Sequence, residues 1–370
     1  MTSPPEPPVD PWAAPSGRTY SAAPPPAPAG TPLPPPAWPY PPVPSPVNVQ
    51  PLWPAQPHDR PRPYLRLLLT PRYRWWRPLL GLLTFTALFI FMNVVIVTVY
   101  FAVSWLLNDD FTLEAAQDEL LGGSPFGLLT TNLSLAVAIL AAWGAVAFVH
   151  FERPGWLSSV LRGIRWAWLL RISLLAAAVS AAFLVISLVV PVPGDDAGYE
   201  GLDPPALGTF LALFVVVALT TPLQAAGEEY GFRGYFSQAL SCWLRWRWVV
   251  ALISATLFAL AHGQQDPWLF ADRFAFGLAA SWLTWRTGGL EASIALHAAN
   301  NIVALLVAVL YGELQDSLVA TDLPWTLAVI DIVFVTVYAV LADRLGRRRN
   351  LDLVSGVAVT PTTAPAPLAR

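Results

Sequence analysis

From Pro78 onward the chain repeats one pattern: an apolar run long enough to cross the hydrocarbon core of a bilayer, which takes roughly 20 helical residues, then a polar break. Eight such segments can be marked, at about 78–107, 125–150, 166–193, 206–227, 248–262, 270–286, 290–311 and 324–342. They predict an all-α fold, a polytopic transmembrane helical bundle of about eight spans. With 55% hydrophobic and only 12% charged residues, most of this chain cannot have water as its solvent. The fifth and sixth segments are short and carry His262, Asp272 and Arg273, which predicts helices sheltered by neighbours rather than facing lipid.

Charge sign in the connections tests this count, because Arg-rich short loops stay cytoplasmic. The sign alternates along the whole chain. Arg60 to Arg77 precede the first segment and Asp109 to Glu119 follow it; Arg153, Arg162 and Arg165 come next, then Asp195 to Asp203, then Arg233, Arg245 and Arg247. Arg286 follows the sixth segment, Glu313 to Asp322 the seventh, and Arg344 to Arg349 the eighth. The pattern predicts an integral protein of the cell (plasma) membrane, in contact with membrane lipid, with both termini cytoplasmic. Trp75, Trp76, Trp105, Trp166, Trp168, Trp248 and Trp285 sit near segment ends and read as interfacial anchors. No polybasic run or aromatic-basic stripe points to nucleic acid, and the formal charge is only −3. A single cysteine, Cys242, excludes internal disulfides and thiolate zinc clusters.

Proline marks the first domain limit. Of the 38 prolines, 24 lie within residues 1–64, where few aliphatic side chains separate them. That stretch reads as a disordered Pro-rich cytoplasmic tail, with Trp12, Trp38, Tyr40 and Trp53 as docking points for a partner. It lacks the basic start and apolar stretch of a signal peptide. The membrane bundle is then 65–345, followed by a second disordered tail at 346–370.

Ionisable groups at membrane depth cost roughly 2.5 to 3.5 kcal/mol each on insertion scales, so those the chain keeps beside its apolar segments carry information. They fall in three places. Glu228 and Glu229 follow the fourth segment, with Arg233 four residues after Glu229 and able to pair with it on a helix, whereas Glu228 points about 100° away without a counter-charge. Phe258 and His262 share a face at the end of the fifth segment. His297 and Asn301 share a face within the seventh. Singly, each has a structural explanation: hydrated glutamates at the rim, a hydrogen-bonded helix-end histidine, polar groups joining helices for about 0.6 kcal/mol per bond. Gathered at one point, they are a carboxylate, two imidazoles and an amide. His58 and His150 read as structural.

In that order, Glu228-Glu229 with Arg233, Phe258 with His262, and His297 with Asn301 resemble the E-E-x-x-x-R, F-x-x-x-H and H-x-x-x-N motifs of the CPBP intramembrane proteases, the family that includes the type II CAAX prenyl endopeptidases and bacteriocin-processing proteins. The resemblance covers about residues 206–311. It implies an intramembrane endopeptidase acting near the C-terminus of a membrane-anchored or apolar peptide, or of a lipidated protein. By the same resemblance, Glu228 and His262 hold and deprotonate a water, Glu229 and Arg233 support the site, and His297 and Asn301 face the oxyanion. Chemistry agrees: hydrolysis without a covalent intermediate needs a base, a proton for the leaving amine and donors where negative charge grows.

Cofactor use stays open at this stage. The family is often labelled metalloprotease, and Glu228, His262 and His297 would be the zinc ligands, but their spacing differs from H-E-x-x-H. The competing function is a non-enzymatic immunity or scaffold membrane protein using the same cavity. A proton-coupled transporter is a weaker third, since no internal repeat is discernible. One tension remains in this reading. Eight full-width spans would put Glu228 and His262 at opposite faces, which predicts a bend at Pro222 or Gly227 and a hydrated funnel reaching the site from the cytoplasm.

Overall fold

The structure, a computed structural model, describes residues 56–121, 123–189 and 203–356. Among these the fold is all-helical, as the long apolar runs require, with two isolated β-bridges and no strands. In chain order the helices are α1 (Arg77–Leu107), α2 (Leu113–Leu121), α3 (Pro125–Ala136), α4 (Ala138–Ala145), α5 (Trp166–Val189), α6 (Leu207–Glu229), α7 (Ser237–Leu240), α8 (Arg247–Leu260), α9 (Pro267–Thr287), α10 (Glu291–Tyr311), α11 (Leu314–Leu318) and α12 (Trp325–Arg348). Helix α4 runs into a π-helical turn at Val146–His150, and α6 joins α7 through another at Tyr230–Phe236.

Six helical segments are long and apolar enough to span a membrane: α1, α3 through the first π turn, α5, α6 through α7, α10 and α12. The chain is an integral membrane protein. The other two expected segments fall on α8 and α9 and pack together as a hairpin. At 1.5 Å per residue, the 14 residues of α8 cover about 21 Å, short of the ~30 Å hydrocarbon core. Its C-terminal end therefore stops at depth, and residues 261–266 continue from it without helical structure. This removes the need for a bent fourth span: His262 can share a level with Glu228 because its helix does not cross.

Helix α6 is central and packs along α3 and α10. Gly227 allows this. A Cβ there would stand 2.3 Å from the Leu135 carbonyl oxygen and 2.8 Å from the Ala136 Cα, so only glycine admits α3 so closely. Pro222 lies inside α6 without ending it. One core surrounds Trp156, Tyr230, Tyr235 and Leu290; a second surrounds Phe258, Phe276, Leu296 and Tyr338 across α8, α9, α10 and α12. Helix α1 is apolar on all sides and exposes Leu83, Phe91 and Val94, the surface lipid would cover.

The body is longer at both ends than composition indicates. Residues 56–64, assigned above to the tail, pack on it: His58 is buried, its Nε2 lies 2.9 Å from the Leu67 carbonyl, and its ring meets Trp156 edge-on at 4.8 Å. At the other end α12 passes residue 345, and the chain continues to a backbone bond from Ser355 N–H to the Arg62 carbonyl, 2.9 Å, beside a Pro63–Val354 bridge. Prolines set no limit here because the Arg62 and Ser355 groups do the pairing. The same contact puts the start of α1 and the end of α12 on one face of the bundle, which requires an even number of crossings. The rest of each expected tail, 1–55 and 357–370, lies outside the described residues.

Candidate active site

Glu229 and Arg233 stand four residues apart across the start of the second π turn, and the Arg233 NH1 donates to Glu229 Oε1 at 2.9 Å. Neither side chain is exposed to any extent. The guanidinium carbon lies 4.1 Å from the Phe258 ring centroid and 5.8 Å from that of Phe276, so aromatic faces take the place of water on the cation. Gly277 of α9 makes room for it, since a Cβ there would approach Arg233 NH2 to 3.2 Å and the Ala255 Cα to 2.9 Å. The turn itself is held by Ser237 and Ser254, whose hydroxyls both donate to the Phe232 carbonyl, at 2.7 and 3.2 Å.

Glu229 Oε1 also binds His297 Nδ1, 2.9 Å away on α10. A carboxylate only accepts, so Nδ1 carries the hydrogen and Nε2 is the nitrogen that faces outward. That Nε2 stands 4.0 Å from Glu228 Oε2. The imidazole thus lies between two carboxylates, buried, with its plane set by edge contacts to Phe276 at 4.9 Å and Phe258 at 5.8 Å.

Glu228 has a second support. Its Oε1 accepts a hydrogen bond from Gln224 Nε2, one turn earlier on α6, and Gln224 Oε1 accepts from Asn301 Nδ2 at 3.1 Å. Five of the six residues singled out in the sequence, Glu228, Glu229, Arg233, His297 and Asn301, are therefore drawn together, joined by Gln224. His262 makes no hydrogen bond to this network. It sits beyond the end of α8, exposed, within electrostatic reach of Glu228 and His297, with its ring 4.7 Å from Phe258. Its Nδ1 is 2.8 Å from the Phe258 carbonyl, an acceptor, so Nδ1–H donates and Nε2 keeps its lone pair.

Glu228 and His297 stand 4.0 Å apart, wider than the roughly 3.3 Å between tetrahedral ligands at ~2.0–2.1 Å from zinc, while the Nδ1–H that His297 gives to Glu229 is the outer bond a metal-bound imidazole would also make. Among the described residues no three His, Cys, Asp or Glu side chains gather in a metal-binding arrangement. Of the residues that sequence reasoning missed, Gln224 left a signal, being one turn before Glu228 on the same helical face. Phe276 and Gly277 left none, because only the packing of α9 against α8 and α10 brings them here. The opposite end of the bundle holds a separate cavity of about 570 Å³, lined in part by Asp118, Glu119, Asp203 and Leu314.

Residues 207–303, from the start of α6 to just past Asn301, match the family model described as Type II CAAX prenyl endopeptidase Rce1-like. A curated relative, the Bacillus subtilis (strain 168) protein YyaK, itself described as uncharacterized, is 25% identical over 235 residues, covering 61% of this chain and 76% of its own. No solved structure matches. The family is one of proteases, and the match supports a CAAX-type intramembrane protease at the level of the family.

Proposed function

We propose that this chain is an intramembrane endopeptidase that hydrolyses a peptide bond near the C-terminus of a membrane-anchored or apolar peptide, including a lipidated protein. The observation that carries this is the position of Glu228: a carboxylate inside a membrane bundle, fixed on one oxygen by Gln224, with the other facing His297 Nε2 across 4.0 Å. That span is too long for a direct hydrogen bond and right for one shared water, which at ~2.8 Å from both atoms would subtend roughly 90°.

Glu228, with His262 within electrostatic reach, takes a proton as the water oxygen attacks the scissile carbonyl carbon. Negative charge then grows on the former carbonyl oxygen. The second N–H of Asn301 and, when the ring carries both protons, the Nε2–H of His297 are the donors on hand to meet it. As the C–N bond breaks, the proton held by Glu228 passes to the departing amine, which leaves a carboxylic acid and a free amine with every atom of the water accounted for. Glu229 and Arg233 act through His297, holding its ring and its Nδ1 proton in place. Arginine alternation supports a cell-membrane protein with cytoplasmic termini, and the pairing of residues 62 and 355 on one face agrees with it. No step needs a metal.

The test compares the C-termini of membrane proteins in cells carrying wild type and Glu228→Gln, which keeps the Gln224 contact and removes the base. A discrete set of termini left unprocessed in the variant is the expected result. Identical termini in both would favour the immunity or scaffold function instead.

A further inference from the structure

The segment before α1 and the segment before α8 meet at the Arg-rich end of the bundle, where the indole N–H of Trp243 donates to the Trp75 carbonyl at 3.0 Å. Around that contact the surface is made of two side-chain types. Trp75, Trp246 and Trp248 are 69%, 53% and 52% exposed, and Trp76 lies beside them. Arg74 and Arg245 are exposed, Arg245 stacks on Trp246 at 4.9 Å, and Arg247 lies 5.6 Å from the Trp285 ring at the end of α9. No ion pair among the described residues engages Arg74, Arg77, Arg245 or Arg247. The nearby acid, Glu152, is 2% exposed and offers them no accessible counter-charge.

A soluble partner would have to bury these indoles and guanidiniums together; a bilayer surface accepts both where they stand. Indoles settle at the headgroup level, and guanidiniums at that level bind phosphate with two parallel hydrogen bonds. The level is right, because the first turns of α1 and α8 and the last turn of α9 all end here. We infer that residues 72–77 and 243–248 form a binding surface for the headgroups of anionic phospholipids, which joins α1 to the base of α8, the helix that leads to His262. Depth is set by the tryptophans and headgroup charge is read by Arg74, Arg245 and Arg247.

The experiment uses the full chain in detergent, with native mass spectrometry after titration of phosphatidylglycerol or phosphatidylcholine, for wild type and for Arg74→Gln/Arg245→Gln/Arg247→Gln. Each guanidinium near a charged surface contributes about fivefold, so the triple variant should bind phosphatidylglycerol roughly a hundredfold more weakly, with phosphatidylcholine binding unchanged. The three-lysine version keeps the charge, guards against misfolding of the glutamine variant and should retain most of the preference. Equal phosphatidylglycerol binding by wild type and the glutamine variant overturns the inference. Displacement of the lipid by millimolar inorganic phosphate would reassign the surface to the free anion. Tight binding of an acidic peptide with no lipid preference would reassign it to a protein partner.

Discussion

Replacing Arg233 with methionine leaves Glu229 in a fully buried position with its cation gone and only the side chains of His297 and Ser293 as partners. Breaking a buried pair by removing one member costs about 3–5 kcal/mol, because the surviving charge keeps its desolvation penalty without the attraction that offset it. Part of that cost includes the contact of the guanidinium with Phe258, about 1–2 kcal/mol when desolvated. Neutralising the survivor should recover most of it. In Glu229→Gln/Arg233→Met the amide oxygen can still accept the His297 Nδ1 proton, so the double variant should fall within about 2 kcal/mol of wild type, a coupling of at least ~2 kcal/mol. Unfolding free energies from SDS titration in mixed micelles measure all four corners of the cycle. A loss below about 1 kcal/mol for Arg233→Met alone, or a double variant as unstable as the sum of the two singles, would refute the claim that this pair is dry and mutually dependent.

Removing an amide donor from the developing oxyanion, as in Asn301→Ala, should lower kcat about a hundred- to a thousandfold in a peptide-cleavage assay while the unfolding midpoint stays near that of wild type. Gln224→Leu, which releases both Glu228 and Asn301, should lower kcat by around a hundredfold through misplacement, with KM little changed. Gly277→Ala must push a Cβ against the α8 backbone at Ala255 and should cost about 1–3 kcal/mol in the same SDS titration. Glu152 supplies a pH test. Burial pushes its carboxyl from 4.5 up to about 7 against Thr70, Arg72 and Arg77. Between those values the folded protein holds a proton that the unfolded chain has released, so stability falls as pH rises through the window, by up to about 3 kcal/mol, and Glu152→Gln should flatten the slope.

Local spacing was the most legible information in the chain. The Glu229–Arg233 pair and the shared face of Phe258 and His262 follow from a period near 3.6 residues, and the eight apolar segments from the length of their runs. What spacing could not supply is the distance between helices. His297 reaches Glu229 because α10 packs along α6, and sequence holds no trace of that approach. The end of α8 was equally hidden: Leu260 to His262 reads as a continuing apolar helix, while the structure stops there and leaves the histidine outside the hydrogen-bonded network. Prolines misled at the N-terminal limit, since they report a weak helix former and say nothing of whether a neighbouring backbone will pair with the segment.

The bond between Arg62 and Ser355 has a consequence for biosynthesis. The stretch that leads into α1 leaves the ribosome before that helix, yet the partners of Arg62 and Pro63 are made some 290 positions later. Each helix can insert as it is made, but the two ends of the bundle cannot pair until translation has passed α12. A ribosome stalled before that point would leave Arg62 and Pro63 waiting, a clasp without its catch.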